Sequence, residues 1–291
     1  MSKIYEALKK AEEERKKKVE RLDIPVVQRG EKEGVEDKKV VARTEPIRIK
    51  EEKVHDHRVS DLIVALKDPF SQSAEQFKKV CVRLVQQAQQ GKRVLLVTSA
   101  LPGEGKTMAA ANIAISLARL PNTYAILLDA DMRKADLHKI LGVSVNKGLW
   151  DYLEDEVDIS EIAYATPVPR LALIPAGDGR SDPREVVSSE RIQKLIEELK
   201  TNYPTRYVVV DTSPLLLSSE PEVLLTQADS VVMIACYGKT NRENLRKALA
   251  LLDAKKSLGL IFNRVDVSSI THRHGYHKYH RYGTQRGKKR S

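Results

Sequence analysis

The stretch Ala100-Leu101-Pro102-Gly103-Glu104-Gly105-Lys106-Thr107 holds the residue types that bind a polyphosphate. Glycines let successive backbone N–H groups turn inward around phosphate oxygens, and a helix that follows adds the field of its N-terminus. In such a loop Lys106 reaches the β- and γ-phosphates and the Thr107 hydroxyl ligates Mg²⁺, while Pro102, Gly103, Glu104, Gly105 and Met108 complete the nucleotide-contacting run. The strict spacing has Gly where Ala100 stands, so the assignment leans on context: an apolar run before the loop and a helical pattern after it. Two more chemical positions end apolar runs, Asp129 and Asp131 in YAILLDAD and Asp211 in YVVVDTS. Carboxylates at the C-terminal ends of neighbouring parallel strands line a ligand crevice, where they hold Mg²⁺ with its waters or take a proton from a nucleophile. The competing role for Asp at such an end is to cap the next helix.

The elements that would position these groups alternate strictly. Strand-like runs cover 93–99, 124–130, 170–177, 207–213, 230–238 and 258–265, with helical patterns at 71–90, 106–119, 184–200, 219–228 and 241–254. Short, nearly all-apolar, β-branched strands separated by helices predict a mostly parallel sheet covered on both faces. The class is α/β, doubly wound, with the fold of a P-loop NTPase. Four segments follow: an N-terminal helix over 1–20 with a thin stripe at Ile4, Leu8 and Ala11, a charged linker over 21–67, a P-loop domain over 68–265 and a tail over 266–291. The linker is charged, poor in aromatics and punctuated by Pro25 and Pro46, and the tail has no apolar period, so it is expected to be disordered.

Composition narrows the function classes. The 291 residues are 41% hydrophobic and 31% charged with a net charge of +10. Residues 264–291 alone carry 8 Lys/Arg against 1 Asp/Glu, so the excess sits on the tail and the body is close to neutral. A nucleic-acid-binding fold spreads its positive charge over a folded face, and no nucleic-acid partner is expected here. No apolar run approaches the roughly 18 residues of a membrane span, the N-terminus lacks a secretory core, and Cys81 and Cys236 have no metal-like spacing. A reducing cytoplasmic setting is expected.

The motifs resemble those of the bacterial tyrosine kinases of the polysaccharide-biosynthesis autokinase family over about residues 68–265. DPFSQSAEQFKKV is similar to the family's first helix, TSALPGEGKT to its Walker A, ILLDADMRKADLHKILGV to its Walker A′ and VVVDTSPLL to its Walker B. GLWDYL, YGKTNRENLRKAL and GLIFNRVD resemble later segments, and MSKIYEALKKAEEE with SPLLLSSEPEVL resembles the exosortase-linked exopolysaccharide branch. The resemblance implies an ATP- and Mg²⁺-dependent protein-tyrosine autokinase that regulates exopolysaccharide or capsule synthesis or export. It implies catalytic roles for Lys106, Asp129, Asp131 and Arg133, metal-holding roles for Thr107, Asp129, Asp131 and Asp211, and places Asn263 and Arg264 near the adenine. Tyr276, Tyr279 and Tyr282 stand where the family carries an autophosphorylated cluster. The same tail carries His272, His274, His277 and His280, which offer a lesser metal-chelating role.

Departures from the pattern matter equally. The family's oligomerisation helix reads Glu-Xaa-Xaa-Arg-Xaa-Xaa-Arg, and Glu75, Lys78 and Cys81 stand there, which puts ring assembly in doubt. Partition and Min-type ATPases carry a signature lysine where Leu101 stands, so their mode of dimer activation is not expected. The expected partners are a separate transmembrane polysaccharide co-polymerase that activates the chain, other copies of the chain, and an acidic membrane surface attracted to the tail. The expected location is cytoplasmic, peripheral to the inner face of the cell membrane. An alternative function is a non-kinase P-loop ATPase regulator whose nucleotide-dependent dimerisation positions a membrane-associated assembly.

Overall fold

The computed structural model describes residues 59–88, 93–155, 157–179, 182–183, 190–201 and 206–265. All of them lie in the compact unit Ala42–Ser291. The N-terminal helix expected over 1–20, most of the linker, and the tail with Tyr276, Tyr279, Tyr282 and its histidines lie outside the described residues.

The strands are β1 (Val94–Ser99), β2 (Tyr124–Ala130), β3 (Tyr164–Ala165), β4 (Leu171–Ile174), β5 (Arg206–Thr212), β6 (Ser230–Cys236) and β7 (Ser257–Asn263). They form one sheet in the order β3-β4-β2-β5-β1-β6-β7. Every pairing is parallel except β3 with β4. The helices are α1 (Val64–Lys67), α2 (Gln72–Ala88), α3 (Lys106–Ala118), α4 (Leu137–Leu141), α5 (Leu149–Asp155), α6 (Ile159–Ile162), α7 (Glu190–Thr201), α8 (Glu220–Gln227) and α9 (Arg242–Ala250).

The strands are largely apolar because both faces are covered, and Thr98, Ser99, Asp129, Asp211 and Thr212 stand toward the C-terminal ends of β1, β2 and β5. Along β1, Leu95 and Val97 point into a core shared with α2 and α3, while Val94 and Leu96 point into one shared with α5, α7 and α8. β2 and β5 divide in the same way, with Leu127 and Val209 on the first side and Leu128 and Val210 on the second. The period of two along each strand thus feeds two cores at once. Helix α3 is the central element of the first core, with every residue from Ala109 to Ala118 buried.

Residues 59–67, at the end of the stretch expected to be a linker, pack onto α3. Val59, Ile63 and Ala65 are buried. Asn112 on α3 ties the segment down: its Oδ1 accepts from Ala65 N at 2.8 Å and its Nδ2 donates to Leu62 O at 3.2 Å. Arg119 donates to the Ala65 carbonyl, and Ser60 N donates to Ile140 O at 3.0 Å. The sequence hides this docking because its apolar run, Leu62 to Leu66, is short and follows a long charged stretch, too brief to show a period.

On α2, Cys81 is buried, with its Sγ 3.6 Å from the Ile113 carbonyl, and burial pushes its thiol up to about 12. The position where the family has an arginine is therefore a core position in this chain. Glu75 is exposed and Lys78 half-buried, and they pair with each other at 2.5 Å.

Candidate active site

The strand register assembles the acidic groups. Asp129 on β2 lies directly beside Asp211 on β5, and Asp211 also faces Val97 on β1. The loop after β1, the end of β2 and the end of β5 therefore open onto one crevice at the C-terminal edge of the sheet. A cleft of about 400 Å³ is lined there by Gly103, Gly105, Lys106, Thr107, Asp131 and Arg133, among others.

Gly103 has φ 72° and Gly105 has φ 98°, left-handed values that a side chain would strain. A Cβ on Gly105 would also lie 2.0 Å from Asn263 Nδ2, and one on Gly103 would lie 2.6 Å from Lys239 Nζ. The loop is held from behind. Asn263 Nδ2 donates to Glu104 O at 2.9 Å and Lys239 Nζ donates to Pro102 O at 2.7 Å. The Glu104 side chain is fully buried, accepting from Leu101 N at 2.9 Å and from the Thr240 hydroxyl. So Glu104 reaches a ligand through its backbone only, and its carboxylate braces the loop. Among the described residues, the N–H groups of Gly103, Glu104 and Gly105 donate to no protein acceptor. Free N–H groups at the N-terminus of a 13-residue helix suit a polyphosphate.

Lys106 is the first residue of α3 and is buried. Its Nζ lies 2.5 Å from Asp131 Oδ2, 3.9 Å from Asp211 Oδ1 and 3.2 Å from Thr107 Oγ1. Burial draws the ammonium down, but the Asp211 and Asp131 charges outweigh it and hold Lys106 above the ordinary lysine value. Asp129 is pushed well above the usual carboxylate range, first by burial and then by the Asp211 charge. Its oxygens accept weakly, from Leu137 N and Asp131 N, both at 3.3 Å. Neither Asp211 oxygen accepts a well-formed hydrogen bond among the described residues, and both are shut off from solvent. Burial raises this carboxyl, the Lys106 charge and the Thr107 hydroxyl offset part of the effect, and it ends at about 6.

The residues fit Mg²⁺ with a bound phosphate better than they fit a bare ion. Among the described residues no group of three or more His, Cys, Asp or Glu side chains is placed to hold a metal. Asp129, Asp131 and Asp211 thus do not form a cage of their own, since the Lys106 ammonium occupies the space between Asp131 and Asp211. Mg²⁺ takes one or two carboxylates, phosphate oxygens and several waters, and the orphaned Asp211 oxygens with the Thr107 hydroxyl beside them supply that partial set.

The structure separates the two Walker A′-like acids. Asp131 lines the cleft, whereas Asp129 is fully buried behind it. Arg133, Met108 and Arg264 also line the cleft, Arg264 with a φ of 58°. Asn263, expected near an adenine, is engaged in holding the loop. Sequence reasoning missed Lys239, Thr240 and Glu220. The first two lie in YGKTNREN and Glu220 lies in SPLLLSSEPEVL, and the resemblance of these stretches to family segments was the available signal.

No family model matches the chain. Among curated proteins it is 30% identical to tyrosine-protein kinase CpsD of Streptococcus agalactiae over 201 residues, covering 68% of this chain and 84% of that one. It is 29% identical to tyrosine-protein kinase YwqD of Bacillus subtilis over 231 residues, 78% of this chain and 94% of that one. Among solved structures, the BceF tyrosine kinase domain superposes with a TM-score of 0.60 at 25% identity, over 69% of this chain and 81% of that one. The relatives, the parallel sheet and the lysine-carboxylate cluster under the glycine loop agree, and the chain belongs to the bacterial tyrosine kinase family.

Proposed function

We propose that this chain is an ATP- and Mg²⁺-dependent protein-tyrosine autokinase whose acceptors are Tyr276, Tyr279 and Tyr282. The observation that carries the reading is the buried Lys106, gripped by Asp131 beneath a loop of uncommitted N–H groups. Phosphoryl transfer asks the protein mainly for positioning and charge neutralisation, and these groups supply both.

The loop N–H groups and Lys106 bind the β- and γ-phosphates. Lys106 then exchanges Asp131 for phosphate oxygens, which frees the Asp131 carboxylate at the cleft wall. Asp131 accepts the proton of the tyrosine hydroxyl as the phenol oxygen attacks the γ-phosphorus and the bond to the β-phosphate oxygen breaks. Asp211 and Thr107 hold the metal, which when bound neutralises charge on the phosphate oxygens. Asp129, hydrogen-bonded to the backbone of Asp131 and Leu137, fixes the turn that carries Asp131. The resemblance in sequence supports a setting beside a separate membrane co-polymerase, in control of exopolysaccharide or capsule synthesis. No helix among the described residues is long and apolar enough to cross a membrane.

The test is incubation of the full chain with Mg²⁺ and γ-labelled ATP, scoring label on protein against free phosphate. Asp131→Asn is compared in parallel, and it should retain nucleotide binding while transfer falls by about 10²-fold or more, the worth of a general base. Free phosphate with no label on the wild-type protein would favour a P-loop regulator instead.

A further inference from the structure

Arg133 and Glu220 form a contact that neither the loop nor the acidic cluster explains. Arg133 follows the Asp129/Asp131 strand end and is about half exposed in the cleft, whereas Glu220 opens α8 and its side chain is only 2% exposed. Arg133 Nε donates to Glu220 Oε1 at 2.9 Å, and Nη2 lies 2.8 Å from the same oxygen. The Nε hydrogen bond and the close Nη2 ion-pair contact on the same oxygen hold one edge of the guanidinium in place. They leave its other N–H groups without a protein acceptor among the described residues.

The far side of Glu220 is unusual. Its Oε2 is buried and makes no hydrogen bond among the described residues. A buried carboxylate oxygen left unpaired costs stability, and such costs gather where a geometry is needed for function. The start of α8, with Pro221 in its first turn, favours a negative group, so the carboxylate is held rigidly at the end from which it reaches Arg133.

We propose that Glu220 is a positioning residue of the transfer site: it holds the Arg133 guanidinium edge-on, so that its uncommitted N–H groups serve the cleft. This rests on the kinase reading above and on the catalytic role that the resemblance implies for Arg133, taken as stabilisation of the transferring phosphoryl group. Phosphoryl charge grows on the equatorial oxygens in the transition state, and a guanidinium held in place there acts on the rate more than on ground-state binding.

A double-mutant cycle on the full chain tests it, with autophosphorylation rate, Mg·ADP affinity and melting temperature as readouts. Glu220→Ala should lower the rate by about tenfold or more, the scale of a lost charge-assisted hydrogen bond, with Mg·ADP affinity within about twofold of wild type. Arg133→Ala should lower the rate further, and the double variant should match Arg133→Ala alone, because Glu220 acts only through Arg133. If Glu220→Ala fails to fold, Glu220→Gln takes its place. It keeps an acceptor for Arg133 but no charge, and its rate should fall by more than its change in melting temperature accounts for. Losses that multiply in the double variant, or a rate that falls only in step with melting temperature, would overturn the proposal. A wild-type chain that turns over ATP without labelling itself would instead sink the kinase reading, so the two failures are distinguishable.

Discussion

Replacing Asp211 by Asn should make the ligand-free protein more stable at neutral pH while ending its activity. The Asp211 carboxyl rises inside the fold from an ordinary value of 3.8 to about 6, chiefly through burial. At about 1.4 kcal/mol per pH unit, ionising it in the folded state costs roughly 3 kcal/mol relative to the unfolded chain. The sign follows from the raised value. The contribution of the protonated group is fully present below about pH 4 and is lost as pH rises through about 6. An amide of the same shape does not ionise and escapes that loss. Urea unfolding with EDTA present and no nucleotide should therefore show a variant-minus-wild-type difference that grows between about pH 4 and pH 8 by roughly 3 kcal/mol. Adding Mg²⁺ with nucleotide should reverse the order, because only the wild-type carboxylate gains the metal. A difference that stays flat across this pH range, or that shrinks toward pH 8, would refute the claim that Asp211 is a charge held ready for a cation.

Other changes bear on the frame around the site. Gly105→Ala meets both a φ of 98° and a 2.0 Å contact with Asn263, so nucleotide binding measured by titration calorimetry should be lost. Adding Asn263→Ala should not restore it, since the backbone strain persists and the loop's brace is gone. Ile63→Ala, at a position with 0% exposure, should cost about 2–5 kcal/mol in denaturant unfolding, the cost of a buried large-to-small change. A loss under about 0.5 kcal/mol would show that the segment before α2 is an appendage and not part of the core.

How far the sequence could be read depended on how local each signal was. β2 spans the residues its run predicts, because a strand buried on both faces reads as a nearly continuous apolar stretch, with Asp129 interrupting it only near its end. β4 stops at Ile174, short of the expected 177, because Pro175 offers no N–H and the Pro175 and Ala176 carbonyls accept from Leu149 and Trp150 on α5. The two-residue β3 and the short helices α1, α4, α5 and α6 are too brief to show a period. Helix α9 ends at Ala250 where the pattern suggested 254, with Leu249 and Leu251 both exposed. In the site, Lys106, Thr107 and the strand-end acids were legible because backbone and side chain act within one short motif. Glu220 and Thr240 were not, because their partners Arg133 and Glu104 lie 87 and 136 residues away in the chain. Cys81 reads both as a member of the apolar stripe of the 71–90 helix and as a lost charge in an interface motif, and the packing of α2 on α3 makes it a core residue.

Transfer from ATP at Lys106 to the tyrosines of the C-terminal segment is read out by mapping phosphotyrosine by mass spectrometry. The full chain and its Lys106→Met variant would be incubated with Mg·ATP and digested side by side. Phosphotyrosine is expected at one or more of Tyr276, Tyr279 and Tyr282 in the wild type, and none in the variant. ATP turnover without phosphotyrosine in the wild type, or equal modification of the variant, would contradict it.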